Sequence, residues 1–131
     1  MTFNQRYFRK DRHSAVNLHS GCCFNGFDSK NKTKKTVLQE PITFTDFIKS
    51  SAGNNRFIAY CNPDGSRLKI DNIYNKGEDA LVMIGPEGDF TQDEVDMAIT
   101  SGFKGLSLGS SRLRTETAGI TACSIIYFLN Q

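Results

Sequence analysis

The stretch that most constrains this chain is Ala80-Leu81-Val82-Met83-Ile84, five apolar residues without a polar interruption. A strand with one wet face alternates apolar and polar side chains. An unbroken run suits a strand covered on both faces, as in a parallel sheet packed between helices. The run breaks into Gly85-Pro86-Glu87-Gly88-Asp89, and Thr91-Gln92-Asp93-Glu94 then reads as a capping box, with the threonine hydroxyl and the glutamate satisfying free helix N–H groups. The helix that follows is expected to bury Val95, Ala98 and Ile99 and to stop at Gly102.

The same grammar repeats downstream. Gly105 to Leu108 reads as a strand, Gly109-Ser110-Ser111 as its loop, and Arg112-Leu113-Arg114-Thr115-Glu116-Thr117-Ala118 as a charged approach to a last helix. That helix starts near Thr115 and is expected to bury Ala118, Ala122, Ile125, Ile126 and Leu129. Two buried strands thus end in two glycine-bearing loops, each leading into a helix. A parallel sheet places both loops at its carboxyl edge, where ligands bind.

Upstream, Phe57 to Cys61 reads as a buried strand stopped by Asn62-Pro63-Asp64-Gly65. Val37 and Leu38 suggest a short strand, and Glu40-Pro41 a turn into Thr43. Thr43 would cap a helix burying Phe44, Phe47 and Ile48 and ending at Gly53-Asn54-Asn55. Residues 66–78 fit neither period, and Lys76-Gly77-Glu78-Asp79 is a turn. The fold class expected is α/β, a parallel sheet flanked by helices. One domain is expected over residues 36–131. Residues 1–35 lack a sustained period and are expected to be a poorly ordered basic segment with little independent structure.

Charge and cysteine usage narrow the function classes. The formal net charge is +2, but Arg6, Arg9, Lys10, Arg12, Lys30, Lys32, Lys34 and Lys35 face only Asp11 and Asp28 in the first 35 residues. Such an arm can hold a phosphate backbone or can simply be solvated. No apolar run approaches the roughly 20 residues that span a bilayer, and the N-terminus lacks the apolar stretch of a secretory signal. Cys22, Cys23, Cys61 and Cys123 have no metal-ligand spacing, and His13 and His19 lie far from Cys61 and Cys123, so neither zinc nor a disulfide framework is suggested. Cys61 and Cys123 are expected to be small buried hydrophobes, and a reducing cytoplasm fits.

The first loop is a poor phosphate site. It lacks the dinucleotide glycine spacing and the Walker lysine, and Glu87 and Asp89 would repel phosphate. A ligand meeting this loop should be neutral or cationic there. S-adenosylmethionine, a sulfonium without phosphate, meets that requirement.

Ile84 to Phe90 (IGPEGDF), with Glu94 following, and Leu108 to Ala118 (LGSSRLRTETA) closely resemble the two signature motifs of bacterial 16S ribosomal RNA uracil-N3 methyltransferases, of the SPOUT class. Phe57 to Cys61 looks like that family's preceding strand, and Glu40 to Ile48 like an earlier segment; the resemblance runs from about Thr36 to Leu129. It implies a C-terminal trefoil knot, S-adenosylmethionine as cofactor without a metal, 16S ribosomal RNA or the small ribosomal subunit as partner, and a homodimer in the cytoplasm. Ile84, Gly85, Pro86, Gly88, Leu108, Gly109, Leu113 and Thr117 would then hold the cofactor.

Methyl transfer to uracil N3 requires loss of the N3 proton and a steadied anion, so Arg112 or Arg114 is placed to hold that anion or the RNA phosphate. Glu116 or Glu87 could take the proton, or could cap a helix. Asp89 stands where the motif usually has a third glycine, and Ser111-Arg112 alters its arginine-isoleucine step. The family's N-terminal RNA-binding barrel and the first strand and helix of its catalytic domain have no counterpart that can be matched here. A second reading is therefore a non-catalytic cofactor- or RNA-binding remnant. A plain α/β binding module is a third.

Overall fold

The computed structural model describes residues 4–8, 14–18, 37–61, 68–86 and 88–131. Strands β1 (Asn4–Phe8), β2 (Ser14–Leu18) and β3 (Val37–Ile42) precede helix α1 (Phe44–Ser50). Strand β4 (Asn55–Ala59), the short β5 (Leu68–Lys69) and a 3-10 turn (Ile70–Asn72) follow. Strand β6 (Ala80–Ile84), helix α2 (Gln92–Thr100), strand β7 (Lys104–Ser107) and helix α3 (Thr115–Leu129) complete the order.

All described strands join one sheet in the order β3-β1-β2-β6-β4-β7-β5. From β6 to β5 every pairing is parallel, as the apolar run demands. Strand β2 then lies antiparallel to β6, and β1 is antiparallel to β2 and parallel to β3. These first two strands differ from the expectation of little structure in residues 1–35. Their structure is borrowed: β2 ladders along the whole of β6, Ser14 opposite Ile84 through Leu18 opposite Ala80. A neighbouring strand supplies the hydrogen-bonding partner that local pattern does not announce. The rest of the basic segment lies outside the described residues.

Strand β6 is buried along its whole length, and its alternation divides the molecule into layers. Ala80, Val82 and Ile84 face a core with Phe57, Leu106 and the α3 residues Ala118, Ala122, Cys123 and Ile126. Leu81 and Met83 face the opposite core, with Ile58, Phe44 and Phe47 of α1, and Val95 and Ala98 of α2. The sheet is thus sandwiched between α3 on one face and α1 with α2 on the other.

Local signals hold at the helix starts. The Thr43 hydroxyl accepts the Asp46 N–H at 3.2 Å. Thr91 and Glu94 form the expected reciprocal box, with Thr91 N–H donating to Glu94 Oε2 at 2.9 Å. Four expectations are corrected. Glu40-Pro41 does not turn; β3 runs on to Ile42 at the sheet edge, where proline's missing N–H is tolerated, and the ladder shifts register there, Arg6 opposite Gln39 and then Phe8 opposite Ile42. Ile99 is 44% exposed, because α2 rests on its Val95–Ala98 line and the next position points away from the sheet. Ile125 and Leu129 are only half-buried and pack on the flank of the α3 core. Cys61 is exposed: β4 and β6 run in register from Asn55–Ala80 to Ala59–Ile84, so the strand ends before the cysteine.

At the amino edge a polar network closes the fold. Buried Asn55 donates to Glu78 Oε2 at 3.1 Å and accepts the Asn75 N–H at 3.2 Å. Beyond the C-terminus of α3, Asn130 accepts the Gly77 N–H at 2.8 Å and donates to the Tyr74 hydroxyl at 2.9 Å.

Candidate functional site

Strands β6 and β7 lie on either side of β4, so the loops that follow them flank the end of β4. Reversed strand order leaves a crevice at such a point. Here it is a narrow cleft of about 60 Å³, open to solvent. Its walls come from Ala59, Tyr60 and Cys61 at the end of β4, from Ile84, Gly85, Pro86 and Asp89 at the end of β6, and from Leu106 in β7 and residues between Leu108 and Ala118 beyond it.

The two glycine loops meet through α3. Thr115, in the first turn of that helix, donates its hydroxyl to the Gly85 carbonyl at 2.9 Å. The end of β6 is thereby joined to the start of the last helix. Gly85 is buried, and a Cβ there would stand 3.2 Å from the Phe90 ring, so a side chain would press the ring back by a few tenths of an ångström. Gly109 has φ +134, a conformation side chains rarely adopt, and this swings the chain from β7 toward Arg112.

Asp89 also has positive φ, 65°. Its carboxylate accepts the Cys61 N–H at 2.6 Å through Oδ2 and the Phe90 N–H at 2.8 Å through Oδ1, while its own N–H donates to the Pro86 carbonyl at 2.9 Å. The residue therefore ties the β4 exit to the β6 loop.

Of the residues singled out from sequence, the structure brings Ile84, Gly85, Pro86, Leu108, Gly109, Leu113 and Arg112 to this one cleft. Gly88 and Thr117 are exposed and stand outside its lining. Arg114 is the N-cap position of α3 without a side-chain cap bond, and Glu116 is exposed in the first turn, so both sit at the rim. Thr115 bonds to Gly85 and does not cap its helix. Glu87 lies outside the described residues. Sequence reasoning missed the wall after β4. Its signal was the third apolar strand, Phe57 to Cys61, which ends at the same edge in a parallel sheet. Among the described residues no His, Cys, Asp and Glu group is arranged to hold a metal ion, and no helix is long and apolar enough to cross a membrane.

A second, roomier groove of about 660 Å³ runs beside α3, lined by Ile70, Leu108, Ile125, Phe128 and Leu129 with Lys69 and Asp71 at its margin. Phe128 and Ile120 on the same helix are 71% and 62% exposed.

Fold and cleft together define an α/β domain with a crevice where three parallel strands end. The chain belongs to the RNA methyltransferase domain family, which it matches over residues 29–127. The match begins inside the basic N-terminal segment. Ribosomal RNA small subunit methyltransferase E of Rickettsia conorii is 32% identical over 113 residues, covering 82% of this chain and 45% of the relative. A crystal structure assigned as an rRNA methyltransferase, from Porphyromonas gingivalis, superposes with TM-score 0.70 at 39% identity over 78% of this chain and 44% of that one. A methyltransferase structure from Legionella pneumophila, solved with bound S-adenosylmethionine, shares the fold with TM-score 0.65 at 24% identity, over 82% of this chain and 51% of that one. The chain thus spans about half the length of the relatives it matches.

Proposed function

We propose that the chain is an S-adenosylmethionine-dependent methyltransferase domain acting on N3 of a uridine in 16S ribosomal RNA. The observation that carries this reading is the convergence of the loops after β4, β6 and β7 on one cleft, in a chain of the RNA methyltransferase domain family. The cleft's chemistry fits the cofactor. Its walls combine apolar side chains and backbone groups with the Asp89 carboxylate after β6 and the Arg112 guanidinium beyond β7, so a ligand meeting the β6 loop is favoured when cationic there. The relatives' names and the cofactor in the Legionella structure point the same way.

Bound there, the cofactor would supply a methyl group activated on a sulfonium. The chain would supply the rest. Backbone groups at Gly85, Leu108 and Gly109, with the walls at Ile84 and Leu113, would hold the adenosine. Arg112 in the lining and Arg114 at the rim would steady the uracil anion or the neighbouring phosphate, since a guanidinium stays charged and donates in a fork. Glu116, beside them, is a candidate to receive the N3 proton. The path from β7 through Gly109 to α3 is proposed to be the threaded segment of a trefoil knot. The exposed α3 face with Phe128 is proposed to pack against a second copy, and the site of action to be the cytoplasm.

Calorimetry with S-adenosylmethionine, on the parent chain and on Gly109→Val and Arg114→Ala forms, tests the reading. Binding lost in the valine form and kept in the alanine form is expected. Transfer of labelled methyl to small-subunit RNA, lost in the alanine form, should follow. A parent chain that neither binds nor transfers would defeat the proposal.

A further inference from the structure

We infer that Asp89 reads ligand charge: its carboxylate, fixed in the cleft wall, favours a ligand that is cationic there over the neutral form of the same ligand. The inference rests on the proposed cofactor and names a residue that would distinguish it from its demethylated product. Among the described residues lining the cleft, Asp89 is the only acidic one; Arg112, on the wall beyond β7, carries the opposite sign. Its side chain cannot drift into solvent without breaking two bonds, because one carboxylate oxygen is held by the Cys61 N–H at 2.6 Å and the other by the Phe90 N–H at 2.8 Å. The backbone adds a second constraint, since φ of 65° fixes where the Cβ points. Aspartate and asparagine tolerate that region better than larger side chains.

A pinned charge is a preorganised one. A sulfonium ligand gains an attraction from it that a thioether does not, and otherwise the two differ by one methyl group. The purely structural alternative is that the carboxylate only ties the β4 exit to the β6 loop. Loss of the tie would then weaken every ligand of the cleft alike.

The test compares S-adenosylmethionine, its cationic amine analogue sinefungin and neutral S-adenosylhomocysteine, by calorimetry on the full chain and on Asp89→Asn, which keeps shape, removes charge and leaves one oxygen to accept only one of the two N–H groups. Affinity for the two cations is expected to fall about three- to tenfold further than that for the neutral thioether, whose loss reads the broken bond alone. Equal weakening of all three, or no change in any, would overturn the inference and leave the carboxylate a tie. A parent chain that binds none of the three would defeat the cofactor reading itself, and this inference with it. Where Asp89→Asn loses its cooperative melt, the parent chain decides. Its preference for the cations over the thioether should shrink as ionic strength rises from about 0.05 to 0.5 M, and a preference flat in salt would overturn the inference.

Discussion

Two glycines of the cleft have different reasons for being glycine, and alanine at each separates them. At Gly85 the added Cβ meets the Phe90 ring at 3.2 Å and the Asp89 backbone at 3.3 Å. Phe90 is buried and packed 6.0 Å from the Phe44 ring, so it has little room to retreat. Gly85→Ala should therefore cost about 1–2 kcal/mol by overpacking, measured by urea unfolding. Gly109 meets nothing within 4 Å. Its alanine form should lose about 1–2 kcal/mol through backbone strain at φ +134, with no change in the packing around Phe90. The cysteines divide similarly. Burial pushes the Cys123 thiol up from 9.0 to about 11. The folded state then holds a proton that the unfolded chain releases first, so this stability is complete below pH 9.0 and is lost as pH rises toward about 11. Cys123→Ala should flatten that fall in urea midpoints above pH 9.0. Exposed Cys61 should react with a thiol reagent in the native state while Cys123 does not.

At the scale of elements, the helix caps were legible because they are written locally. Thr43 and Thr91 announce their helices by chemistry within three residues, and Thr91→Ala should cost about 1 kcal/mol in urea unfolding. The apolar run of β6 was equally plain, since a strand buried on both faces leaves no alternation to misread. Strands β1 and β2 were not legible: β2 pairs with β6, remote in sequence and invisible to any local pattern, and β1 sits between β2 and β3. Most cleft walls could be read from loops that follow buried strands. The bond from Thr115 to Gly85 could not, because it joins the first turn of one helix to a loop 30 residues earlier. Thr115→Val should weaken cofactor binding measurably by calorimetry while leaving α3 helical by circular dichroism, since that hydroxyl serves the loop and not its own helix.

Across the whole molecule, α3 is fastened at both edges of the sheet, by Thr115 at Gly85 and by Asn130 at Gly77 and Tyr74. Asn130→Ala removes partners from the Gly77 N–H and the Tyr74 hydroxyl, and a loss of about 1–3 kcal/mol is expected in urea unfolding. The exposed Phe128 and Ile120 bear on assembly. Sedimentation should show a dimer that Phe128→Ser converts to monomer, if the proposed packing of copies is right. The double fastening also imposes an order on biosynthesis. Translation delivers β4 and β6 well before α3, so Phe57, Val82 and Ile84 emerge from the ribosome with the helix that covers them still unmade. Until those last turns arrive, the nascent chain presents a greasy half-sheet of the kind chaperones capture. The crevice gains its final wall only when that helix docks.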